Sequence, residues 1–422
     1  MSTFDCRVVK IKIVPHPNAE RLELAQVGDY RCVVGKDLYK TGDLVVYIPE
    51  AAIVPEWALK NYGYWDEDKN QGLLSGSNHD RVKAVKLRGE LSQGLVFPAR
   101  PVFEKGIGPA IVYQGQDGAL HHYVVTEGED VQEVLGITKW EPPIPTGLSG
   151  EVYNAGQNVT VDYDIENIKK YPDVFVEGEE VVVTEKIHGT SFQIGLLPCI
   201  NKYTHEDHFK VKTENGEGYF FIGSKGLGAQ GLCFKDNETN KNNLYVRAAH
   251  QFALFEKLLK LRAAIDAGVF DPMQRETTFD DNTFVSLVEP LILQGEVFGA
   301  VQDLTYGAKQ GEIFFRAFDI CLGERSLRRY FNDYQFAKAL EIMGIDSCPA
   351  VYKGPYSKEK INELTHNQNS NLCQNQISEG VVVRPVIERN DERIPTMKGR
   401  VILKSINEAY LLRKNKNATE FQ

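Results

Sequence analysis

A lysine delivered into a turn by an apolar strand is a candidate nucleophile. The run Val-Val-Val-Thr-Glu-Lys-Ile-His-Gly-Thr-Ser, residues 181–191, contains one at Lys186. Its β-branched approach is where a side chain loses water, which favours the neutral amine that attacks an electrophile. Unperturbed lysine titrates at about 10.4, so the amine needs burial or nearby positive charge to shed its proton at neutral pH. Gly189 supplies the turn, and His188 reads as a hydrogen-bonding turn residue rather than as a base. Lys-x-x-Gly also describes an ordinary strand end, so the assignment rests on the motifs downstream of it.

Lys186 to Gly189 resembles motif I (Lys-x-Asp-Gly) of the covalent nucleotidyltransferases, which comprise RNA ligases, DNA ligases and mRNA capping enzymes; His188 stands at the Asp position. Further runs resemble the family's other motifs, in its order. Phe-Ile-Gly-Ser-Lys-Gly, residues 221–226, resembles motif Ia, with Lys225 where the family more often has Arg. Leu-Gln-Gly-Glu-Val-Phe-Gly, residues 293–299, resembles motif III, centred on Glu296. Phe-Phe-Arg-Ala-Phe-Asp-Ile, residues 314–320, resembles motif IIIa. Ser-Glu-Gly-Val-Val-Val-Arg-Pro, residues 378–385, resembles motif IV, with Glu379 before a strand. Residues 400–414 resemble motif V, with Lys404 as its lysine. Motif V often has a second lysine two residues earlier; Ile402 occupies that place, and Arg400 and Lys398 are the candidates to replace it.

The resemblance implies an ATP-dependent RNA ligase that works in three steps. Lys186 takes AMP from ATP, the AMP passes to an RNA 5′-phosphate, and a 3′-hydroxyl displaces it. It also implies roles. Lys186 is the nucleophile, and Lys404 is catalytic at the α-phosphate. Glu185, Gly189, Lys225, Glu296, Phe318 and Lys404 bind the nucleotide, with Phe318 stacking on the adenine. Glu379 serves a Mg²⁺ or Mn²⁺ ion, for which hard oxygen ligands are suited. The implied partners are RNA ends in a nicked duplex or paired strands. Two rivals stand beside this reading. One is a DNA ligase or capping-type enzyme; both carry an essential domain after motif V, where only 18 residues follow Lys404 here. The other is an inactive OB-fold RNA-binding protein, against which Lys186, Glu296, Glu379 and Lys404 stand together.

The totals frame these sites. The chain has 422 residues, a formal charge of −10 and 25% charged residues, an ordinary soluble composition long enough for two or three domains. Acidity argues against non-specific nucleic-acid binding as the main role. Residues 384–416, however, carry nine Lys or Arg against four Asp or Glu, and they overlap motifs IV and V. The seven cysteines are scattered with no Cys-x-x-Cys, so reduced thiols are expected rather than a zinc site or disulfides. No long uncharged apolar run and no leader sequence is evident, so an intracellular monomer of cytoplasm or nucleus, without membrane contact, is expected.

The positioning elements are expected to be α+β. Residues 1–110 read as an N-terminal β-barrel of about five strands, drawn from six short strand-like runs (6–14, 22–27, 30–34, 44–48, 82–87 and 94–97). The OB-fold suits that count, and the segment around His16-Pro-Asn-Ala19 resembles OB-type tRNA-binding modules. Residues 111–150 read as a Gly- and Pro-rich linker. Residues 151–422 are then an adenylyltransferase domain of antiparallel sheets with flanking helices, two of which the spacing predicts over 242–267 and 325–343.

Overall fold

The computed structural model describes residues 3–102, 107–141, 146–197, 205–272 and 289–413. Cys199 and the basic residues beyond Arg413 lie outside them. The chain divides into two compact units.

The front unit begins with strands Val8–Lys10 (β1), Lys12–Pro15 (β2), Leu22–Val27 (β3), Tyr30–Gly35 (β4), Leu44–Ile48 (β5) and Leu95–Pro98 (β6). β2–β3–β4 form one antiparallel sheet, and β1–β5–β6 form another. Alternation along β5 explains how they share a core. Val45 joins Ile11, Ala25, Cys32, Val34 and Val96 on one side, while Val46 and Ile48 join Val8 and Phe97 on the other. The predicted strand over 6–14 is two strands, that over 82–87 is confined to Val85–Leu87, and the other four fall close to those observed.

The predicted linker is different. Ile107–Gln114 (β7) and Leu120–Val124 (β8) pair antiparallel, and Ile111, Val125, Val131, Leu135 and Ile137 are buried in the front core. Residues 111–141 are therefore part of the front unit, because their apolar side chains outweigh the Gly and Pro around them. Two later stretches also belong to this unit, Asn167–Asp173 and the stretch from Glu408. Lys169 donates to Gln93 Oε1 at 2.5 Å, and Lys86 pairs with Glu408 at 2.8 Å.

The second unit holds two antiparallel sheets. The larger contains Phe209–Thr213, Gly216–Ser224 (β11), Thr190–Leu197 (β10), Leu291–Gly299 (β12), Ile313–Leu322 (β13) and the short strand Arg329–Tyr330, in that spatial order. The smaller contains Leu403–Ile406 (β16), Gly380–Pro385 (β15), Glu180–Lys186 (β9) and Ala350–Pro355 (β14), in that order. Helices cover the outer face of the larger sheet. Leu254, Leu258, Leu261, Phe336 and Leu340 pack there against Phe192, Ile194, Val297 and Phe315. The inner face carries a second cluster that includes Val161, Phe221, Ile292 and Ile402.

The helix predicted over 242–267 is broken. Leu244–Gln251 (α1), capped by Asn243, and Leu254–Asp266 (α2) are separated at Ala253, which has φ +52°. The break lets Val246 and Ala249 of α1 and Leu258 and Leu261 of α2 all reach one core. The helix predicted over 325–343 begins only at Asp333 and runs to Met343 (α3). Asn332 and Gln335 form a reciprocal capping box there, and Arg329 and Tyr330 upstream are paired in the sheet.

Candidate active site

The nucleophile candidate closes β9. Its partners across the sheet are Gly380 and, one strand further, Ile406. Gly380 is demanded by the neighbouring strand: its φ is +147°, and a Cβ would sit 2.1 Å from the Ser405 carbonyl oxygen. Lys186 Nζ donates to Glu379 Oε1 at 2.6 Å, with the carboxylate 1% exposed and the lysine 16%.

Strand alternation places the other groups. Thr184, Val382 and Lys404 are in register across β9, β15 and β16. Thr184 is two residues from Lys186, so Lys404 shares the Lys186 face, about 12 Å away, two strand spacings across and two residues along. Lys404 is 2% exposed. Glu185, one residue from Lys186, must face the opposite way. Its carboxylate accepts from the Asn371 backbone N–H at 2.8 Å and side chain at 3.1 Å. The side chain thus anchors a loop on the face of the sheet opposite to Lys186.

Glu296 comes from β12 of the larger sheet, opposite Ser191 and Arg316. Lost solvation pushes its carboxyl up to about 8, with Lys186 pulling against that and the negative Glu379 adding to it. Glu379 goes the other way. Burial opposes its charge, but Lys186 and His188 outweigh burial and hold it down at about 2. Two carboxylates in one site are thereby driven apart in protonation.

His188 is 2% exposed. Its Nε2 meets Asp303 Oδ1 at 2.7 Å and its Nδ1 meets Glu379 Oε2 at 3.5 Å. Burial lowers its basicity, but these two carboxylates raise it above its ordinary value. Gly189 is demanded by space rather than by a left-handed backbone: a Cβ would lie 2.3 Å from the Val297 carbonyl oxygen and 3.0 Å from Glu296 Cγ.

Phe318 is placed by a β-bulge that the sequence does not reveal. Gln294 pairs with Asp319 and Gly295 with Ala317, so Phe318 is the extra residue on β13. Its ring centroid lies 5.0 Å from that of Tyr163 at 49°. It packs both beside Tyr163 and beside Ile187, next to the nucleophile. Lys225 opens the helix Lys225–Gln230 and binds Asp164 Oδ1 at 2.7 Å, one residue from Tyr163.

A family model of RNA ligases matches residues 179–406, over half of the chain. The chain belongs to the RNA ligase family. An OB-fold domain model matches residues 6–99 of this family member, in agreement with the fold class expected for the front unit. Three solved structures of Naegleria gruberi RNA ligase align along almost all of it. The form with PPi has TM-score 0.66 and 22% identity, covering 97% of this chain and 98% of that one. A lysine-to-methionine variant with AMP and Mn has TM-score 0.65 with the same identity and coverage. A lysine-to-alanine variant with ATP and Mn has TM-score 0.63 and 22% identity, covering 96% and 98%. At this identity the likeness shows the fold. No curated protein sequence matches.

Both candidates for the motif V place held by Ile402 have partners within the fold. Arg400, 2% exposed, forks onto Glu388 at 2.6 and 2.7 Å, bonds Asp319 and lies 3.8 Å over the Tyr330 ring. Lys398 donates to the Arg325 and Ser326 carbonyls at 2.7 and 3.3 Å. Asp319, the other half of the Phe-Asp pair, accepts from Tyr163 Oη at 2.7 Å and from Arg400, so its role is to brace the bulge.

Among the described residues, no three His, Cys, Asp or Glu side chains form a ready-made metal cluster. Glu379, held in its ionised form, nevertheless fits a hard divalent ion, which usually takes one or two carboxylates and completes its shell with water and substrate phosphates. No helix among these residues is long and apolar enough to cross a membrane.

Proposed function

We propose that this chain is an ATP-dependent RNA ligase that joins a 5′-phosphate to a 3′-hydroxyl through a lysyl-AMP at Lys186. The observation that carries this reading is the Lys186–Glu379 contact at 2.6 Å beside Glu296, with Lys404 on the same face. In the first step a bond forms between Lys186 Nζ and the α-phosphorus. The bond from that phosphorus to the pyrophosphate oxygen breaks, and its electron pair leaves with pyrophosphate. The ammonium sheds two of its protons. Lys186 must leave Glu379 to do this, since an ion-paired ammonium has no lone pair to offer.

Lys404 then neutralises charge building on the α-phosphate oxygens, and Phe318 holds the adenine, a stack worth about 1–3 kcal/mol. Lys225 contacts a phosphate or ribose as a point charge, without the directional fork of Arg. Glu379 would hold a Mg²⁺ or Mn²⁺ ion, which when bound adds further neutralisation of the phosphates, and Glu296 contacts the nucleotide. The front unit holds the RNA, as OB-folds bind strands through basic grooves and exposed aromatics. The substrate proposed is a nick or a pair of aligned RNA ends, and the N. gruberi structures with ATP, AMP and PPi support the cofactor part of this reading.

Intact mass spectrometry after mixing with ATP and Mn²⁺ tests the proposal. One AMP should be gained at Lys186 and none by Lys186→Ala, and GTP should not replace ATP. An adduct on a different lysine would sink the assignment. Sealing of nicked duplexes with RNA or DNA on each strand then decides the substrate.

A further inference from the structure

The larger sheet has an open edge along β13. The Ala317 N–H donates to the Asp346 carbonyl at 3.0 Å, and the Ala317 carbonyl accepts from the Cys348 N–H at 2.8 Å, so Ala317 bonds away from β12. The antiparallel pattern turns Phe315, two residues back, the same way. The bridge from Ala317 to Ser347 is isolated, and the strand Arg329–Tyr330 reaches only Cys321 and Leu322. No backbone group among the described residues bonds the outward N–H and C=O of Phe315.

A cavity of about 390 Å³ opens on this edge. Phe314 and Phe315 lie on its two sides, because neighbours on a strand face opposite ways. Phe315 stands with Phe252, from the break between α1 and α2, their centroids 5.9 Å apart. Phe314 stands 5.4 Å from Phe298, which packs 5.0 Å from Tyr306. Lys257 of α2 and Arg316 add two cations to the lining. Arg316 pairs with Asp346, which is 79% exposed. An exposed pair is worth little, so the guanidinium can exchange to another anion. Tyr306 also accepts from the His188 backbone N–H at 2.6 Å, so the cavity shares a wall with the nucleophile turn.

These walls specify their occupant. Aromatic rings on both sides suit a flat aromatic group. The strand edge offers one donor and one acceptor side by side, which the hydrogen-bonding edge of a base can meet. Two cations suit a phosphate, in a chain whose formal charge is −10. The volume is at the small end of the range for small-molecule sites, about 300–1,000 Å³, and suits one nucleotide rather than a strand. Proteins read RNA through bases splayed out and stacked on aromatic side chains. We propose that this cavity binds one unpaired nucleotide of the RNA, its base against the Phe315 edge and its phosphate on Lys257 and Arg316. The inference rests on the RNA ligase reading and adds to it that RNA with an unpaired nucleotide is held preferentially.

The test measures RNA affinity and AMP uptake side by side. Wild type, F252L, K257Q and D346N are checked for folding by circular dichroism. Each is then titrated, without ATP, into a fluorescent RNA duplex with a short unpaired 3′ end and into its fully paired counterpart. F252L should weaken binding of the first RNA by roughly tenfold through the lost ring. K257Q should weaken it too and lower the salt slope by about 0.7, the value for one phosphate of a single strand. D346N should tighten it by about two- to fivefold, because it releases Arg316; a merely structural role gives no such change of sign. The paired RNA should respond to none of the three, and all should take AMP at Lys186 at the wild-type rate. Wild-type affinity in F252L and K257Q would overturn the proposal, and so would equal losses on both RNAs. Variants that bind RNA normally but free AMP poorly would assign the cavity to a free nucleotide and overturn it as well. If F252L does not fold, K257Q and D346N, both at partly exposed positions, decide. Failure of wild type to take AMP at Lys186 would instead remove the ligase reading beneath it.

Discussion

Replacing Arg400 by methionine separates a scaffold role from a phosphate role. Methionine keeps the length of the stem but removes the fork that binds Glu388 and Asp319 and the cation that lies over Tyr330. The two carboxylates are affected unequally. Glu388 is 21% exposed and can be rehydrated, whereas Asp319 is 2% exposed and keeps only the Tyr163 hydroxyl and its own local backbone contact. Removing one partner of a buried pair costs about 3–5 kcal/mol, and partial rehydration of Glu388 puts the loss near the lower end. For a unit of this size each kcal/mol moves the melting temperature by roughly 2–4 °C, so R400M should melt about 6–12 °C below wild type. R400K should fall between them, because an ammonium cannot reproduce the two-pronged contact. Melting by circular dichroism gives the stability. The rate of AMP-adduct formation at a temperature where all three proteins are folded gives the function. The reasoning fails if R400M melts like wild type yet has lost adenylylation, since Arg400 would then be working on a phosphate.

Other outcomes are expected from the same geometry. Glu296 is raised to about 8, so between the ordinary glutamate range and pH 8 the unfolded chain binds fewer protons than the folded one. Stability from this group therefore falls as pH rises across that window, and the melting temperature of E296Q should decline less steeply than that of wild type. Parallel slopes would show that Glu296 is not the group responsible. Phe318→Ala should raise KM for ATP by roughly tenfold or more through the lost stack, while Phe318→Tyr should stay close to wild type; a KM for the alanine variant equal to wild type would assign the ring to packing with Tyr163 alone. Gly189→Ala should cost about 1–3 kcal/mol from overpacking against the Val297 carbonyl and should slow adenylylation, which a melt and a mass time course would show together; an unchanged rate would mean that the turn can shift without moving Lys186.

Strands carry their own positional information, and that decides which parts of the site are legible in the sequence. Motif residues on strands keep their register because each short run states its own alternation. Lys186, Glu296, Glu379 and Lys404 are therefore legible as a set, and three of them meet around one ion pair with the fourth on the same face. The same alternation turns the Glu185 side chain to the face opposite to Lys186, where it holds Asn371. Arg400 and Lys398 are harder, because their partners Glu388, Asp319, Arg325 and Ser326 are brought to them only by the fold. The bulge at Phe318 is invisible for a related reason, since two residues facing one is a property of a pair of strands and not of either sequence. Residues 111–141 resemble a linker because Gly and Pro punctuate them, yet the burial of Ile111, Val125, Leu135 and Ile137 places the stretch in the front unit. That burial changes how the molecule should be cut. A deletion ending at residue 140 would leave Lys169 and Lys170 without Gln93 and Asp5, and would strand a segment that belongs to the part removed. Point substitutions in the front unit are accordingly the sounder way to ask whether it holds the RNA.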